Sequence, residues 1–174
     1  MFPVTVNLTP AECMQAATCG IQRQIRALSA HYQSIIVGTN QWVGHIEGAG
    51  GELAAAKALG AYWPASIDSF KEPDFQFLGH GIEVKTNLTR PADGDLMVHA
   101  NIPPHPRTVF VLVLGKMPTF NVMGWIWGAE LGPYKRTLSA GHDVFCVPPA
   151  KLNQYSIPDG RLGADWSMTD AIDF

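Results

Sequence analysis

The stretch from Pro73 to Asn87, PDFQFLGHGIEVKTN, constrains the fold more than any other part of the chain. Two short runs of alternating apolar and polar residues flank Gly79-His80-Gly81. Asp74 to Leu78 form the first run, and Ile82 to Thr86 form the second. Alternation split by a glycine-bearing turn predicts a β-hairpin. Side chains on a strand reach one face at every second position. Glu83 and Lys85 therefore share a face, and Ile82, Val84 and Thr86 take the other. Asp74 opens the partner strand, and a tight turn brings it close to Glu83. Two carboxylates and one ammonium thus gather at the end of the hairpin. Such carboxylates suit a hard divalent cation like Mg²⁺, which prefers oxygen ligands and keeps several waters.

Pro73-Asp74 followed by Glu83-Val84-Lys85 resembles the signature of the PD-(D/E)xK nuclease superfamily, in its small restriction-endonuclease-like and Holliday-junction-resolvase-like forms. Members typically add a glutamate on the preceding helix, and Glu52 in GGELAAAKALG takes that place. The resemblance spans Asn40 to Leu131 and ends on NVMGWIWGAEL, which looks like a late strand of that group. It implies a metal-dependent nuclease that hydrolyses DNA phosphodiesters through a metal-activated water. Mg²⁺ is the implied cofactor, with Mn²⁺ able to substitute. Glu52, Asp74, Glu83 and Lys85 are the implied catalytic set. Asp74, Glu83, the backbone carbonyl of Val84 and Glu52, directly or through water, are the implied metal ligands. Lys85 is implied to orient or deprotonate the water, or to stand as a fixed positive charge. Asn87, Arg90, Lys135 and Arg136 are candidate substrate contacts.

Each residue also has a plainer reading. Glu83 and Lys85 on one strand face make an ordinary surface ion pair, worth little. Asp74 after Pro73 is a common strand-initiating turn. Glu52 alone reads as a solvated helix residue. Two rival functions follow. One is a catalytically inactive protein of the same fold that binds nucleic acid or protein. The other is a hydrolase built on His80, His99 and His142, although zinc sites favour compact ligand spacing and these are scattered.

Composition narrows the class. The 174 residues are 47% hydrophobic and 16% charged, which fits one globular domain. The formal net charge of −3 excludes a strongly basic protein that coats nucleic acid, so any basic surface is local. Three dispersed cysteines, Cys13, Cys19 and Cys146, argue against a disulfide framework and fit a reducing cytosol. The first residues, MFPVTVNLTP, lack the pattern of a signal peptide. No apolar run approaches the ~18 residues of a membrane span, so no membrane partner is expected.

The remaining elements follow in order. Thr9-Pro10 starts a helix expected over 10–36, with a break near Gly20 considered. Its apolar stripe, Met14, Ala17, Ile21, Ile25, Leu28, Tyr32 and Ile35 or Ile36, is expected to pack on a sheet. The alternative is an arm that dimerises or contacts DNA through Arg23 and Arg26. A homodimer is among the expected partners. A second helix runs from about Asn40 to Leu59, with Gly60 as its C-cap. Its glycines mark close backbone packing, or a helix that firms up only at Glu52. Asp95 to Ala100 reads as a strand, and Thr108 to Gly115 as a buried central one. Phe120 to Glu130 pairs with it, with Trp125 and Trp127 opposite Phe120, Val122 and Ile126. Val144 to Val147 is a further short strand, followed by a helical turn at 150–155. Together these predict an α/β domain: a core over 40–155, a tail over 156–174, and a mixed sheet of about five strands flanked by helices.

Overall fold

The structure, a computed structural model, describes residues 2–30, 40–67, 72–88, 90, 93–100, 104–138 and 141–159. Among the described residues there are eight strands: β1 (Val4–Asn7), β2 (Phe75–Phe77), β3 (His80–Asn87), β4 (Leu96–His99), β5 (Val109–Lys116), β6 (Thr119–Trp127), β7 (Lys135–Thr137) and β8 (Asp143–Val147). The α-helices described before the hairpin are α1 (Pro10–Ser29) and α2 (Gln41–Leu59). The expected α/β fold is present. A five-stranded sheet runs β1-β6-β5-β3-β2, parallel at β3/β5 and antiparallel elsewhere. Among the described residues the two α-helices lie on one side of it. One face carries α2, and the other is covered by a three-stranded sheet, β4-β8-β7. Neither that second sheet nor the short strands β1 and β7 was expected from the sequence.

Two cores result. Ile82, Val84, Val109, Val111 and Val113 face α2 and its buried alanines. Phe110, Leu112 and Leu114 face Leu96, Val98, Phe145 and Val147 of the small sheet. Strand β5 is buried on both faces, which explains its unbroken apolar run.

Helix α1 opens with a capping box. The Thr9 hydroxyl accepts from the Glu12 N–H, and the Glu12 carboxylate accepts from the Thr9 N–H. The helix passes through Gly20 without a break. The rest of the stretch expected to be helical, 31–36, lies outside the described residues. Its packing corrects the sequence reading. α1 lies on α2, not on the sheet. It buries Ala16, Cys19, Gly20, Gln24 and Ala27, while Met14, Ile21, Ile25 and Leu28 stay exposed. The reason is close approach. A Cβ at Gly20 would collide with the α2 backbone at His45 and Ile46. A seam of small residues thus brings the helices nearer than a seam of large ones would.

Asn40 caps α2 by accepting from the Trp42 N–H, and Gly60 ends it with φ 68°. The helix is continuous from its first turn. Gly50 rests on the Phe120 ring, and a Cβ at Gly51 would strike the Thr86 hydroxyl. These two glycines set α2 close to the sheet.

One strand departs from simple alternation. Leu112 pairs with Gly124 and Val113 with Val122, so Met123 is an extra residue in β6. The bulge reverses side-chain parity. Phe120, Val122 and Trp125 all join the α2-side core, and Ile126 faces the small sheet. The expected opposition of Trp125 to Phe120 and Val122 is overturned for that reason. The helical turn expected at 150–155 is a single 3₁₀ turn, Pro149–Lys151. No helix among the described residues is long and apolar enough to cross a membrane. All three cysteines are free thiols.

Candidate active site

The hairpin turn sits one residue earlier than the sequence reading placed it. Phe77 pairs with His80, so Leu78 and Gly79 form a two-residue turn with φ of 50° and 83°. Positive φ at both positions defines a type I′ hairpin, whose twist suits the flanking strands. His80 is therefore the first residue of β3. Its Nε2 lies 3.2 Å from the Pro158 carbonyl, and its ring meets Trp127 edge-on.

This register fixes the site. Phe75 faces Ile82, so Asp74 arrives opposite the Glu83–Val84 step. The Val84 N–H donates to Asp74 Oδ2 at 2.7 Å. A residue's N–H and C=O leave a strand on the same side. The Val84 carbonyl therefore points to the Asp74 edge of β3 as well. No strand lies beside β3 beyond Glu83 on that edge among the described residues. Glu83 and Lys85 share a face, as expected, and their side chains pair at 2.6 Å. Their neighbours in β5 are Phe110 and Leu112, so they rise on the small-sheet side.

Glu52 comes from the opposite side. It is buried on α2, beside Gly51, and faces α1. Arg23 of α1 donates to both of its carboxylate oxygens, at 2.5 and 2.8 Å. The Trp63 indole N–H donates to Oε2 at 3.1 Å. Arg23 also donates through Nε to the Ser66 carbonyl at 2.8 Å. The sequence offered Arg23 as an arm contact, whereas the structure turns it inward onto Glu52, and Trp63 was missed altogether. The Arg23–Glu52 contact spans 29 positions and leaves no local pattern to detect.

Electrostatics tie the two sides together. Burial pushes the Asp74 carboxyl well above its usual range, and the charges of Glu52 and Glu83 push it further. The Val84 N–H and Lys85 offset only part of this. Burial works against the Lys85 charge, but Glu83 beside it, with Asp74 and Glu52, reverses the balance and raises Lys85 above its ordinary value. Arg23 follows the same logic. Burial opposes its charge, and Glu52 more than restores it, with Asp74 contributing. His45 on α2 feels the same group, its basicity lowered by burial and then by Arg23. Three carboxylates thus sense one another around two cations.

Fit to a metal differs among the implied ligands. Asp74 Oδ1 and Glu83 Oε2 accept no hydrogen bond among the described residues. With the Val84 carbonyl they make an all-oxygen donor set. Mg²⁺ is usually held by one or two carboxylates, its waters and substrate phosphates. Glu52 does not fit in this arrangement, since Arg23 and Trp63 occupy both of its oxygens. Among the described residues no three His, Cys, Asp or Glu side chains converge on one point.

The candidate substrate residues lie apart from one another. Asn87 ends β3 on the Glu83 face, where its side chain donates to the Asp95 carbonyl and accepts from the Arg90 N–H. Arg90 pairs with Asp93 at 2.6 Å on an exposed loop. Lys135 and Arg136 sit on the exposed edge strand β7, with Lys135 paired to Asp143 at 2.8 Å. His99 is exposed on β4.

Comparison with protein-family models, with curated proteins and with solved structures finds no match to this chain.

Proposed function

We propose that the protein is a Mg²⁺-dependent nuclease acting on DNA, with Mn²⁺ able to substitute. The observation that carries this reading is the meeting of Asp74 with Glu83-Val84-Lys85 at an open strand edge. Asp74 Oδ1 and Glu83 Oε2 there accept no hydrogen bond among the described residues, and the Lys85 ammonium stands beside Glu83.

Asp74, Glu83 and the Val84 carbonyl would hold the cation. Once bound there, Mg²⁺ supplies an acidified water and relief of charge on phosphorus. The chain does the rest. Asp74 stays oriented by the Val84 N–H. Without a metal the surrounding carboxylates raise the basicity of Lys85. Beside a bound cation it would either stand as a fixed positive charge towards the phosphate oxygens or orient and deprotonate the attacking water. Glu52 adds negative field from the far side of the strand edge and, clamped by Arg23, reaches the centre only through water.

That clamp supports a second reading. A glutamate saturated by arginine and tryptophan suits a catalytically inactive protein of similar architecture that binds nucleic acid or protein. One experiment separates the two. Supercoiled plasmid, linear duplex, single strands and a branched junction are incubated with the protein in Mg²⁺, Mn²⁺ or EDTA, beside Lys85→Ala. Metal-dependent cleavage that falls by about 10²-fold or more in the variant supports the nuclease. Binding without cleavage supports the inactive protein, and equal nicking by both proteins marks a contaminant and sinks the reading.

A further inference from the structure

A groove of about 600 Å³ adjoins the carboxylates at the edge of the hairpin. That is the size of sites that take small organic groups. Tyr62, Pro64, Glu72, Pro73, Phe75 and Gln76 line it. Its position ties it to the candidate site. Pro73 and Phe75 are the chain neighbours of Asp74. Gln76 pairs across the hairpin with Gly81. A Cβ at Gly81 would lie 2.9 Å from the Pro73 ring and 3.7 Å from the Gln76 amide nitrogen. Both side chains lean over Gly81, on the face of β3 that carries Glu83 and Lys85. Gly81 and Glu83 are about 7 Å apart along the strand. A group in the groove and a phosphate at Glu83 can thus belong to one short stretch of a nucleic-acid strand.

The far wall is held in place before any ligand arrives. The Ala61 N–H donates to the Ala56 carbonyl at the end of α2. The Trp63 indole N–H donates to Glu52. Tyr62 sits between these two anchors, and Pro64 stiffens the chain beyond them. Tyr62 is nevertheless 82% exposed. Its ring is a fixed aromatic face left in water, which is what base stacking requires.

We propose that this groove takes one unpaired nucleobase, stacked on Tyr62, from the strand whose phosphate lies at Asp74 and Glu83. The proposal deepens the nuclease reading and rests on it for the identity of that strand. Charge decides which part of the nucleotide enters. None of the described lining residues is basic, and Glu72 brings a carboxylate, so a phosphate is repelled. A base is neutral. Its ring face suits Tyr62, and its N–H edge suits the side-chain oxygens of Glu72 and Gln76. Inside a duplex each base is sandwiched between its neighbours and reaches a protein ring only when taken out of the stack. The preferred substrate is therefore a single strand, a flap or an overhang, in place of an intact duplex.

Fluorescence anisotropy of labelled oligodeoxynucleotides on the full chain tests this. Ca²⁺ replaces Mg²⁺ as the oxygen-seeking cation. The probes are a single strand of about 12 nucleotides, its blunt duplex, and an abasic sugar-phosphate strand of equal length. The parent chain should bind the single strand at least tenfold more tightly than either of the others. Tyr62→Ala should weaken single-strand binding about tenfold and leave the duplex unmoved. Tyr62→Phe should bind like the parent, since stacking uses the ring and not the hydroxyl. Both variants should melt with the parent, because the side chain is exposed. Equal affinity for single strand and duplex overturns the proposal, as does a preference that survives Tyr62→Ala, or no binding of any strand. So does capture of an oligo-arginine peptide, abolished by Tyr62→Ala, with the oligonucleotides unbound, since the groove would then serve a basic protein partner. The two readings fail separately. A Tyr62-dependent preference without metal-dependent cleavage keeps the base groove and removes the nuclease. Metal-dependent cleavage lost in Lys85→Ala, with strand binding untouched by Tyr62→Ala, keeps the nuclease and removes the groove.

Discussion

The Arg23 guanidinium grips both oxygens of the Glu52 carboxylate, and their side chains are only 14% and 8% exposed. The pair binds α1 to α2 directly behind the strand edge that carries Asp74. Its energetic role is asymmetric. A buried ion pair gains little over a hydrophobic pair of equal volume, but removing one partner strands a buried charge. Arg23→Ala is therefore expected to cost about 3–5 kcal/mol. Arg23→Met/Glu52→Met should recover most of that loss. Urea unfolding of the single and double variants measures both. Additive losses would show that the two side chains do not act as a pair.

Asp74 predicts a pH signature of its own. Its folded-state pKa lies well above the ordinary value of 3.8, through burial and the charges of Glu52 and Glu83. An acid raised on folding adds stability that is complete below its unfolded pKa and is lost as pH climbs through the folded one. The ionised Asp74 is thus a burden from about pH 4 upward. Asp74→Asn keeps an oxygen for the Val84 N–H and removes the charge. The melting temperature of the variant relative to the parent should rise steadily with pH. Added Mg²⁺ should raise the melting temperature of the parent near pH 8 and leave the variant unmoved. Parallel pH profiles for the two proteins would refute the raised pKa.

Glu12 should behave in the opposite way. Hydrogen bonding to Lys57, and then to the Thr9 N–H, lowers its carboxyl from 4.5 to about 2. A depressed acid contributes stability that is full above pH 4.5 and is lost as pH falls towards about 2. The Lys57 and Glu12 side chains are 40% and 27% exposed, so solvent screens the pair and its worth is below about 1 kcal/mol. Glu12→Gln should remove that small acid-sensitive increment, and added salt should shrink it. Thr9→Ala, which breaks the other half of the capping box, should cost about 1 kcal/mol at any pH. Denaturant titrations at pH 7 and pH 3 separate the two effects.

What the sequence made legible was local. The 73–87 hairpin could be read because its alternation and turn lie within fifteen consecutive residues. Even there the turn slid by one, because Leu78 accepts the left-handed conformation beside Gly79. The central strand β5 was readable from its unbroken apolar run. What failed was the choice between surfaces of one element. α1 carries two seams of helical period, one of large residues and one of Ala16, Gly20 and Ala27. Periodicity finds both and does not say which is buried. The β6 bulge at Met123 defeats parity in the same way. The residues facing Glu52 were invisible for a third reason, since Arg23 meets it only through tertiary packing.

The glycines of α1 and α2 turn that lesson into paired substitutions. A glycine inside a helix costs roughly 0.5–1 kcal/mol against alanine, unless its missing Cβ makes room for something. At Gly48 a Cβ would meet nothing within 4 Å, so Gly48→Ala should stabilise by about that amount. At Gly20 the same methyl would drive into the α2 backbone between His45 and Ile46, which cannot step aside as a side chain can. Gly20→Ala should therefore destabilise by about 1–3 kcal/mol or more, despite alanine's better helix propensity. Gly51→Ala falls between them. Its obstacle is the Thr86 hydroxyl, a buried oxygen with no hydrogen-bond partner among the described residues. Trimming that side chain in Gly51→Ala/Thr86→Ala should return part of the loss, whereas Gly20→Ala has no such rescue. Thermal unfolding of the four variants gives the order directly. Stabilisation by Gly20→Ala would mean that the two helices do not meet at this seam, and the Arg23–Glu52 clamp would lose the packing that holds it.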